Sequence, residues 1–119
     1  MFRRKVLITG ASGLIGGLTI KHLGDKYGIS TIAIRLGAVF KKDRPLLRRH
    51  LPGYLSQSDC VQLIDKCLSA PESLKYDIFD AISENKYRWR STDRTKEILG
   101  WRPTGCADVF PLPNTGETK

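Results

Sequence analysis

The chain has 119 residues, of which 40% are apolar and 27% are charged, and its formal net charge is +8. These values exclude a disordered chain and fit one small domain rather than a full doubly wound domain. The basic excess attracts polyanions in general, including nucleotide phosphates, nucleic acid and acidic membranes, without selecting among them. The three cysteines, Cys60, Cys67 and Cys106, lack metal-ligand spacing and favour a reducing compartment.

The amino-terminal stretch has some features of a targeting segment. Arg3–Lys5 precedes the largely apolar residues Val6–Ile20, an order that superficially resembles a signal peptide. Glycines interrupt this stretch, and it is too short and too broken to span a membrane. We therefore predict a cytoplasmic protein with no membrane partner.

Strand and helix patterns alternate along the rest of the chain. Apolar, β-branched runs predict three strands: Lys5–Thr9, Ser30–Leu36 and Tyr76–Ile82. Helical spacing and capping signals predict three helices: Leu14–Lys26, a helix that Ser56-x-x-Asp59 opens and Pro71 closes, and a short helix from Thr92 or Asp93 to Gly100. The second helix is predicted to bury five residues: Cys60, Leu63, Ile64, Cys67 and Leu68.

This alternation predicts an α/β fold of abbreviated Rossmann-like type. Its sheet would be small, three-stranded and mainly parallel, with helices flanking it. We place the domain at residues 1–105 and predict a flexible carboxyl-terminal tail at residues 106–119, which contain Pro111, Pro113 and Gly116.

A glycine motif follows the first predicted strand. Residues Thr9–Gly16 are T-G-A-S-G-L-I-G, which has the T-G-x-x-G-x-x-G spacing of a phosphate-binding turn. Gly10 permits the tight turn, Gly13 lets the backbone approach a pyrophosphate, and Gly16 lets helix and strand pack closely. Free N–H groups at the start of the helix would then face the anion. The candidate cofactor-binding residues of this motif are Gly10, Ser12, Gly13, Leu14, Ile15 and Gly16.

The chain resembles the extended short-chain dehydrogenase/reductase family of NAD-dependent epimerases and dehydratases. Five segments carry the resemblance: Lys5–Gly17, Tyr27–Val39, Ser56–Leu68, Tyr76–Ser83 and Thr95–Pro103, the last similar to the closing L-G-W-x-P element of that family. Within the family, the basic loop from Gly37 to Tyr54 and the D-x-F-D-A-I-S strand, Asp77–Ser83, look most like uronate dehydrogenases. The resemblance implies NAD or NADP as the cofactor and a sugar acid as the substrate class.

The sequence departs from this family in its middle. Family members place several strands and helices between the first helix and the Y-G-[IL]-S segment, and in this chain the two meet around Gly24–Tyr27. The absent part includes the catalytic Ser/Thr and the Tyr-x-x-x-Lys pair, in which an ammonium makes a phenol acidic so that a proton can move during hydride transfer. No tyrosine here has a lysine four positions later. We therefore carry over no catalytic residue, and whether the chain is an enzyme stays open.

Arg35 is a further candidate cofactor residue. If Ser30–Leu36 lies beside the first strand, Arg35 comes near the strand end where an arginine favours the 2′-phosphate of NADP. An ordinary charge at a strand end is the simpler interpretation. In the loop Lys41–His50, the resemblance implies that Arg44, Arg48 or Arg49 could pair with a sugar-acid carboxylate, although a solvated loop is favoured.

Two non-enzymatic functions remain as alternatives. An exposed sheet edge would favour self-association or a partner protein, because unpaired edges invite pairing. Lys86–Arg90 interleaves cations with aromatic rings, a pattern that can stack bases and neutralise phosphates. We favour a strand-edge segment in which Tyr87 and Trp89 pack inward, so nucleic acid is the weaker prediction.

Overall fold

A computed structural model of the chain describes residues 5–8, 14–71, 73–74 and 76–111. Three strands alternate with three helices in these parts: β1 (Lys5–Ile8), α1 (Leu14–Tyr27), β2 (Ser30–Leu36), α2 (Gln57–Leu68), β3 (Tyr76–Ala81) and α3 (Asp93–Leu99). Two 3₁₀ segments, Arg48–Gly53 and Ala107–Val109, complete the described elements.

The three strands form one parallel sheet in the order β1-β2-β3. Lys5 of β1 pairs with Ser30 of β2, and Thr31 of β2 pairs with Tyr76 of β3. As the central strand, β2 is buried from Ser30 to Ile34 and becomes exposed only in its last two residues. A strand covered on both faces needs a continuous apolar run, which explains why β2 was clear in the sequence. The prediction of a small, parallel, three-stranded α/β sheet is confirmed.

The main core lies between the sheet, α2 and the segment after α3. Its largest member is Trp101, which is fully buried and donates from Nε1 to the carbonyl oxygen of Asp59 at 3.0 Å. The other buried members come from β2, β3, the helices and the segments next to α2: Ile32, Ile34, Leu55, Leu63, Cys67, Ala70, Phe79, Ala81 and Leu99. One face of α2 therefore packs on the sheet while the opposite face meets solvent.

The predicted buried face of α2 is partly wrong. Leu63 and Cys67 are buried as expected, and Cys60 is half-buried. Leu68 is 64% exposed and Ile64 is also exposed, because the sheet covers only a narrow stripe of this helix.

A buried carboxylate ties α2 to two distant segments. Ser56 caps the helix by accepting from the N–H of Asp59 at 3.1 Å, which confirms the predicted capping signal. The Asp59 carboxylate accepts from the Ser83 hydroxyl at 2.6 Å and from the N–H groups of Thr104 and Gly105, both at 2.8 Å. The network therefore joins the start of α2, the chain after β3 and the segment that follows Trp101.

The long loop after β2 turns back against the sheet. The Ala38 N–H donates to the Gly53 carbonyl at 2.7 Å, and the Leu55 N–H donates to the Ala38 carbonyl at 2.9 Å. Gly37 is required at this crossing, because a Cβ there would lie 2.3 Å from the Gly53 oxygen. The 3₁₀ segment Arg48–Gly53 was not predicted, and the Nδ1 of His50 accepts from the Leu47 N–H at 3.0 Å at its start.

Ordered packing continues past the domain boundary predicted at residue 105. The Ala107 N–H donates to the Oδ1 of the buried Asn85 at 2.9 Å, and Phe110 meets the ring of Tyr54 edge-on at 5.9 Å between centroids. Residues 112–119 of the predicted tail lie outside the described part of the chain.

Candidate nucleotide site

The glycine motif lies between β1 and α1. Strand β1 ends at Ile8 and helix α1 begins at Leu14, which is the strand–turn–helix order that such a motif requires. Gly10, Ser12 and Gly13 lie outside the described residues, whereas Leu14, Ile15 and Gly16 form the first turn of α1. That turn contains no acidic residue, so no carboxylate within it offsets the positive end of the helix dipole.

The neighbouring strand is β2, as the sequence suggested. Pairing of Ile8 with Ala33 puts Arg35 two residues beyond the last described β1–β2 pair. Arg35 therefore lies near the carboxyl end of β2, beside the strand that leads into the glycine motif. In open α/β sheets, ligands bind outside the carboxyl ends of the strands.

The guanidinium of Arg35 already has an intramolecular partner. Its Nε lies 3.0 Å from Oδ1 of Asp80, and its NH2 donates to Oδ2 at 3.1 Å. Arg90 donates to the same Oδ1 at 3.1 Å, so two cations share one carboxylate. A phosphate that binds here would meet one excess positive charge but would compete with Asp80 for the hydrogen-bond donors.

Sequence reasoning missed this ion pair, although a signal for it existed. Arg35 and Asp80 are direct partners in the β2–β3 register, and paired residues of adjacent strands project from the same face. Aligning the apolar runs of the two predicted strands would have placed the two charges opposite each other.

The arginines of the basic loop have surroundings of their own, separate from the cluster of Arg35, Asp80 and Arg90. The Arg44 guanidinium lies over the Phe110 ring, 5.9 Å from its centroid, and so interacts with the segment after α3. Arg48 and Arg49 are exposed in the 3₁₀ segment. This loop leaves the carboxyl end of β2, the same end of the sheet as Arg35.

The prediction that Tyr87 and Trp89 pack inward is wrong. Tyr87 is 65% exposed and Trp89 is 64% exposed, and Lys86–Arg90 is a turn rather than a strand edge. Strand β3 ends at Ala81, and a turn has no alternation between a buried and a solvent face. The basic residues and the rings therefore share one exposed segment.

Tyr54 is buried, and the residue four positions after it is Ser58 rather than the lysine of the Tyr-x-x-x-Lys pair. Its hydroxyl donates to the Asp43 carbonyl at 2.8 Å, and burial together with the charge of Asp43 raises the pKa of Tyr54 to about 12. A phenol that serves in proton transfer at neutral pH needs its pKa shifted in the opposite direction. Tyr54 is therefore a structural residue.

Two further absences hold for the described residues. No group of three or more His, Cys, Asp or Glu side chains among them could hold a metal ion. Within the same parts of the chain, no helix has both the length and the apolar character needed to cross a bilayer.

Proteins of known identity resemble most of this chain. No family model matches it. A uronate dehydrogenase of Pseudomonas putida is 35% identical over 108 residues, which are 91% of this chain and 39% of that protein. An NAD-dependent glucose-6-phosphate dehydrogenase of Haloferax volcanii is 30% identical over 102 residues, or 85% of this chain and 38% of that protein.

Solved structures show the same relationship. The glucuronic acid dehydrogenase of Chromohalobacter salexigens superimposes with a TM-score of 0.69 at 26% identity, over 79% of this chain and 34% of that one. The uronate dehydrogenase of Agrobacterium tumefaciens gives a TM-score of 0.70 at 26% identity, over 85% and 40% respectively. A mutant of the Agrobacterium enzyme was solved in complex with NAD.

The fold is therefore that of the Rossmann-like dehydrogenases. Over the matched residues, the chain is homologous to the uronate dehydrogenases of the NAD-dependent short-chain-dehydrogenase-like family. It spans between 30% and 39% of the length of these curated relatives.

Proposed function

We propose that this chain binds a nicotinamide dinucleotide, NAD or NADP, through the glycine motif Thr9–Gly16. The observation that carries the proposal is the parallel β1–α1–β2 unit, in which α1 begins at Leu14, within the motif, with no acidic residue in its first turn. A helix start of this kind presents unpaired N–H groups and a positive dipole end to a diphosphate. The names of the relatives, which include NAD-dependent enzymes, support the choice of cofactor.

The residues proposed to hold the nucleotide fall into two groups. Gly10, Ser12, Gly13, Leu14, Ile15 and Gly16 would surround the diphosphate with backbone N–H groups. Arg35 would act at the ribose end, where its cluster with Asp80 and Arg90 keeps one positive charge in excess. That excess favours the 2′-phosphate of NADP over the free hydroxyl of NAD. We place the nucleotide-binding domain at residues 1–105, with Ala107 and Phe110 of the following segment packed against it.

We further propose that the chain does not turn over a sugar acid through the mechanism of its family. No tyrosine has a lysine four positions later, and the raised pKa of Tyr54 opposes proton transfer by its phenol. The chain would therefore be a nucleotide-binding counterpart of part of a uronate dehydrogenase, resident in the cytoplasm. Absence of reduced-nicotinamide absorbance with galacturonate or glucuronate is the expected result.

Calorimetric titration with NAD, NADP and ADP tests the binding proposal. We expect all three to bind, because all carry the diphosphate, and we expect NADP to bind more tightly than NAD. Replacing Gly13 by Val puts a branched side chain where the backbone must approach the phosphates. Binding should weaken at least about tenfold, which corresponds to about 1.4 kcal/mol.

The matched control is another glycine of the same unit. Gly24 lies inside α1, and an added Cβ would contact nothing within 4 Å, so Gly24→Ala should bind the nucleotides like the parent chain. No heat with any of the three nucleotides, or equal binding by the Gly13 and Gly24 variants, would contradict the proposal.

Self-association is a second candidate function, and the sheet edge favours it. Among the described strands, β1 pairs only with β2 and β3 pairs only with β2, so both outer strands keep one side without a strand partner. Unpaired strand edges are templates for pairing between chains. Light scattering over a wide concentration range should show a dimer, and a monomer at every concentration would exclude it.

A further inference from the structure

The segment Lys86–Arg90, here called the aromatic loop, touches the proposed nucleotide site only through Arg90, which shares the Asp80 carboxylate with Arg35. Its five residues, K-Y-R-W-R, are all exposed, and the two rings are separated by a single arginine. Exposed apolar patches commonly mark interaction sites, and two exposed rings and three cations within five residues make this loop a candidate for one.

The aromatic loop is held firmly at its base. Asn85, just before it, is fully buried and donates from Nδ2 to the Tyr54 carbonyl at 2.9 Å. The Lys86 N–H donates to the Asp108 carboxylate at 2.6 Å. Trp89 contacts the 3₁₀ segment so closely that a Cβ added to Gly53 would lie 2.6 Å from its ring. The rings are therefore displayed on a fixed base, which limits the entropy that a ligand must remove.

The charge around the loop is positive even after its internal ion pairs are counted. Three carboxylates lie there: Asp80 pairs with Arg35 and Arg90, Glu84 pairs with Arg88 and Lys96, and Asp108 accepts from the Lys86 N–H. The Lys86 ammonium lies 5.2 Å from the centroid of the Tyr87 ring. Five cations thus lie beside three anions, and the neighbouring 3₁₀ segment adds the exposed Arg48 and Arg49.

We propose that the aromatic loop binds single-stranded nucleic acid. Exposed rings give stacking surfaces that any base can use, and the surrounding cations neutralise the phosphates between the bases. A short turn does not offer the helix or ribbon that enters the groove of a duplex. It also lacks the amphipathic helix with which proteins lie on an acidic membrane. The exposed loop and the positive charge of the chain therefore favour single-stranded nucleic acid as the ligand.

Fluorescence anisotropy of a labelled oligothymidylate of about 16 nucleotides tests this proposal on the full chain. We expect binding that weakens steeply as salt increases, and quenching of tryptophan emission on binding. Trp89 is the exposed tryptophan and Trp101 is fully buried, so the quenching should vanish in Trp89→Phe. That variant should still bind, because phenylalanine keeps a stacking face.

Removing a ring should weaken binding of the oligonucleotide. We expect Tyr87→Ala and Trp89→Ala each to reduce affinity about tenfold or more. Tyr27 is the matched control, because it is 59% exposed and has the Lys26 ammonium 5.6 Å from its ring centroid, yet lies at the end of α1. Tyr27→Ala should bind the oligonucleotide like the parent chain. Thermal denaturation of each variant separates lost binding from lost folding.

Four outcomes would overturn the proposal. One is no binding of the oligonucleotide at low salt, and another is an equal loss in Tyr27→Ala and Tyr87→Ala. The third is that vesicles rich in phosphatidylserine compete for the loop as well as the oligonucleotide does, which would assign it to a membrane. An excess of NAD should leave the bound oligonucleotide in place, and displacement would assign the binding to the glycine motif.

Discussion

The part of the domain around α2 and β3 has a larger described core of buried residues than helix α1. Around α2 and β3, ten buried residues form one cluster, and the Asp59 carboxylate links three separate segments across it. From Leu18 to Tyr27 of α1, Ile20 is the one buried side chain, and it packs with Ala33 and the half-buried Ile78. The described contacts therefore concentrate on the carboxyl-terminal side.

The difference separates stability from the proposed chemistry. The glycine motif leads into α1, whereas the larger described core packs on the face of the sheet opposite to Ile20 of α1, because Ile32 and Ile34 alternate with Ala33 along β2. Ligand-binding segments are commonly drawn from the less stable parts of a fold, and a bound anion then adds stability to the state that binds it. We therefore expect substitutions around α2 to act on folding and substitutions around the motif to act on binding.

The largest expected effect comes from Asp59→Asn. The carboxylate accepts three hydrogen bonds through its two oxygens, and an asparagine side chain has only one acceptor oxygen. At least one donor would then face an amide NH₂ in a buried site, at a cost of about 2 to 4 kcal/mol. Urea denaturation followed by circular dichroism measures this loss.

The control for Asp59 is Asp65, an exposed acid on the same helix. Asp65→Asn should change the free energy of unfolding by no more than about 0.5 kcal/mol. If both variants lose the same stability, removal of a charge from α2 is responsible and the network around Asp59 is not.

The parts of the fold that depend on local sequence could be predicted. Strand β2 has the predicted bounds, Ser56 caps α2, and Gly100 ends α3 with a positive φ of 70°. Each depends on a β-branched run, a capping side chain or a glycine, which act within a few residues.

The parts that depend on tertiary contacts could not be predicted. The 3₁₀ segment Arg48–Gly53 forms where the loop pairs with Ala38, a contact that no short window contains. Ile64 and Leu68 continue the helical spacing of α2, but nothing in the sequence says how wide a stripe the sheet covers. For the candidate site, the glycine spacing was sufficient to propose a phosphate turn, whereas the Asp80 partner of Arg35 required the strand register.

Raising the pH above 10 should also destabilise the fold, through Tyr54, but by less than Asp59→Asn does. The pKa of Tyr54 is raised from 10.0 to about 12 in the folded chain, so the folded state keeps a proton that the unfolded state loses. The resulting stability is complete below about pH 10 and is lost as the pH rises towards 12, with roughly 1 kcal/mol lost by pH 11. Denaturant unfolding at a series of pH values measures this slope.

Tyr54→Phe separates this effect from the titration of lysines in the same range. The variant loses the hydrogen bond to Asp43 at every pH, so its stability should be lower but should fall less steeply above pH 10. An identical slope in the two proteins would assign the alkaline loss to other groups.

The smallest expected effect has the opposite sign and belongs to α1. Gly24 lies inside the helix, its φ is not positive, and a Cβ there meets nothing, so Gly24→Ala changes only backbone freedom and helix propensity. Stability should rise by about 0.5 to 1 kcal/mol.

If α1 unfolds together with the core, the whole gain appears in the melting temperature. If α1 opens separately, amide hydrogen exchange slows in α1 while the melting temperature stays unchanged. We expect the first result, because Ile20 and Ala33 connect α1 to the central strand of the sheet. The second would extend the contrast between the two regions to their unfolding.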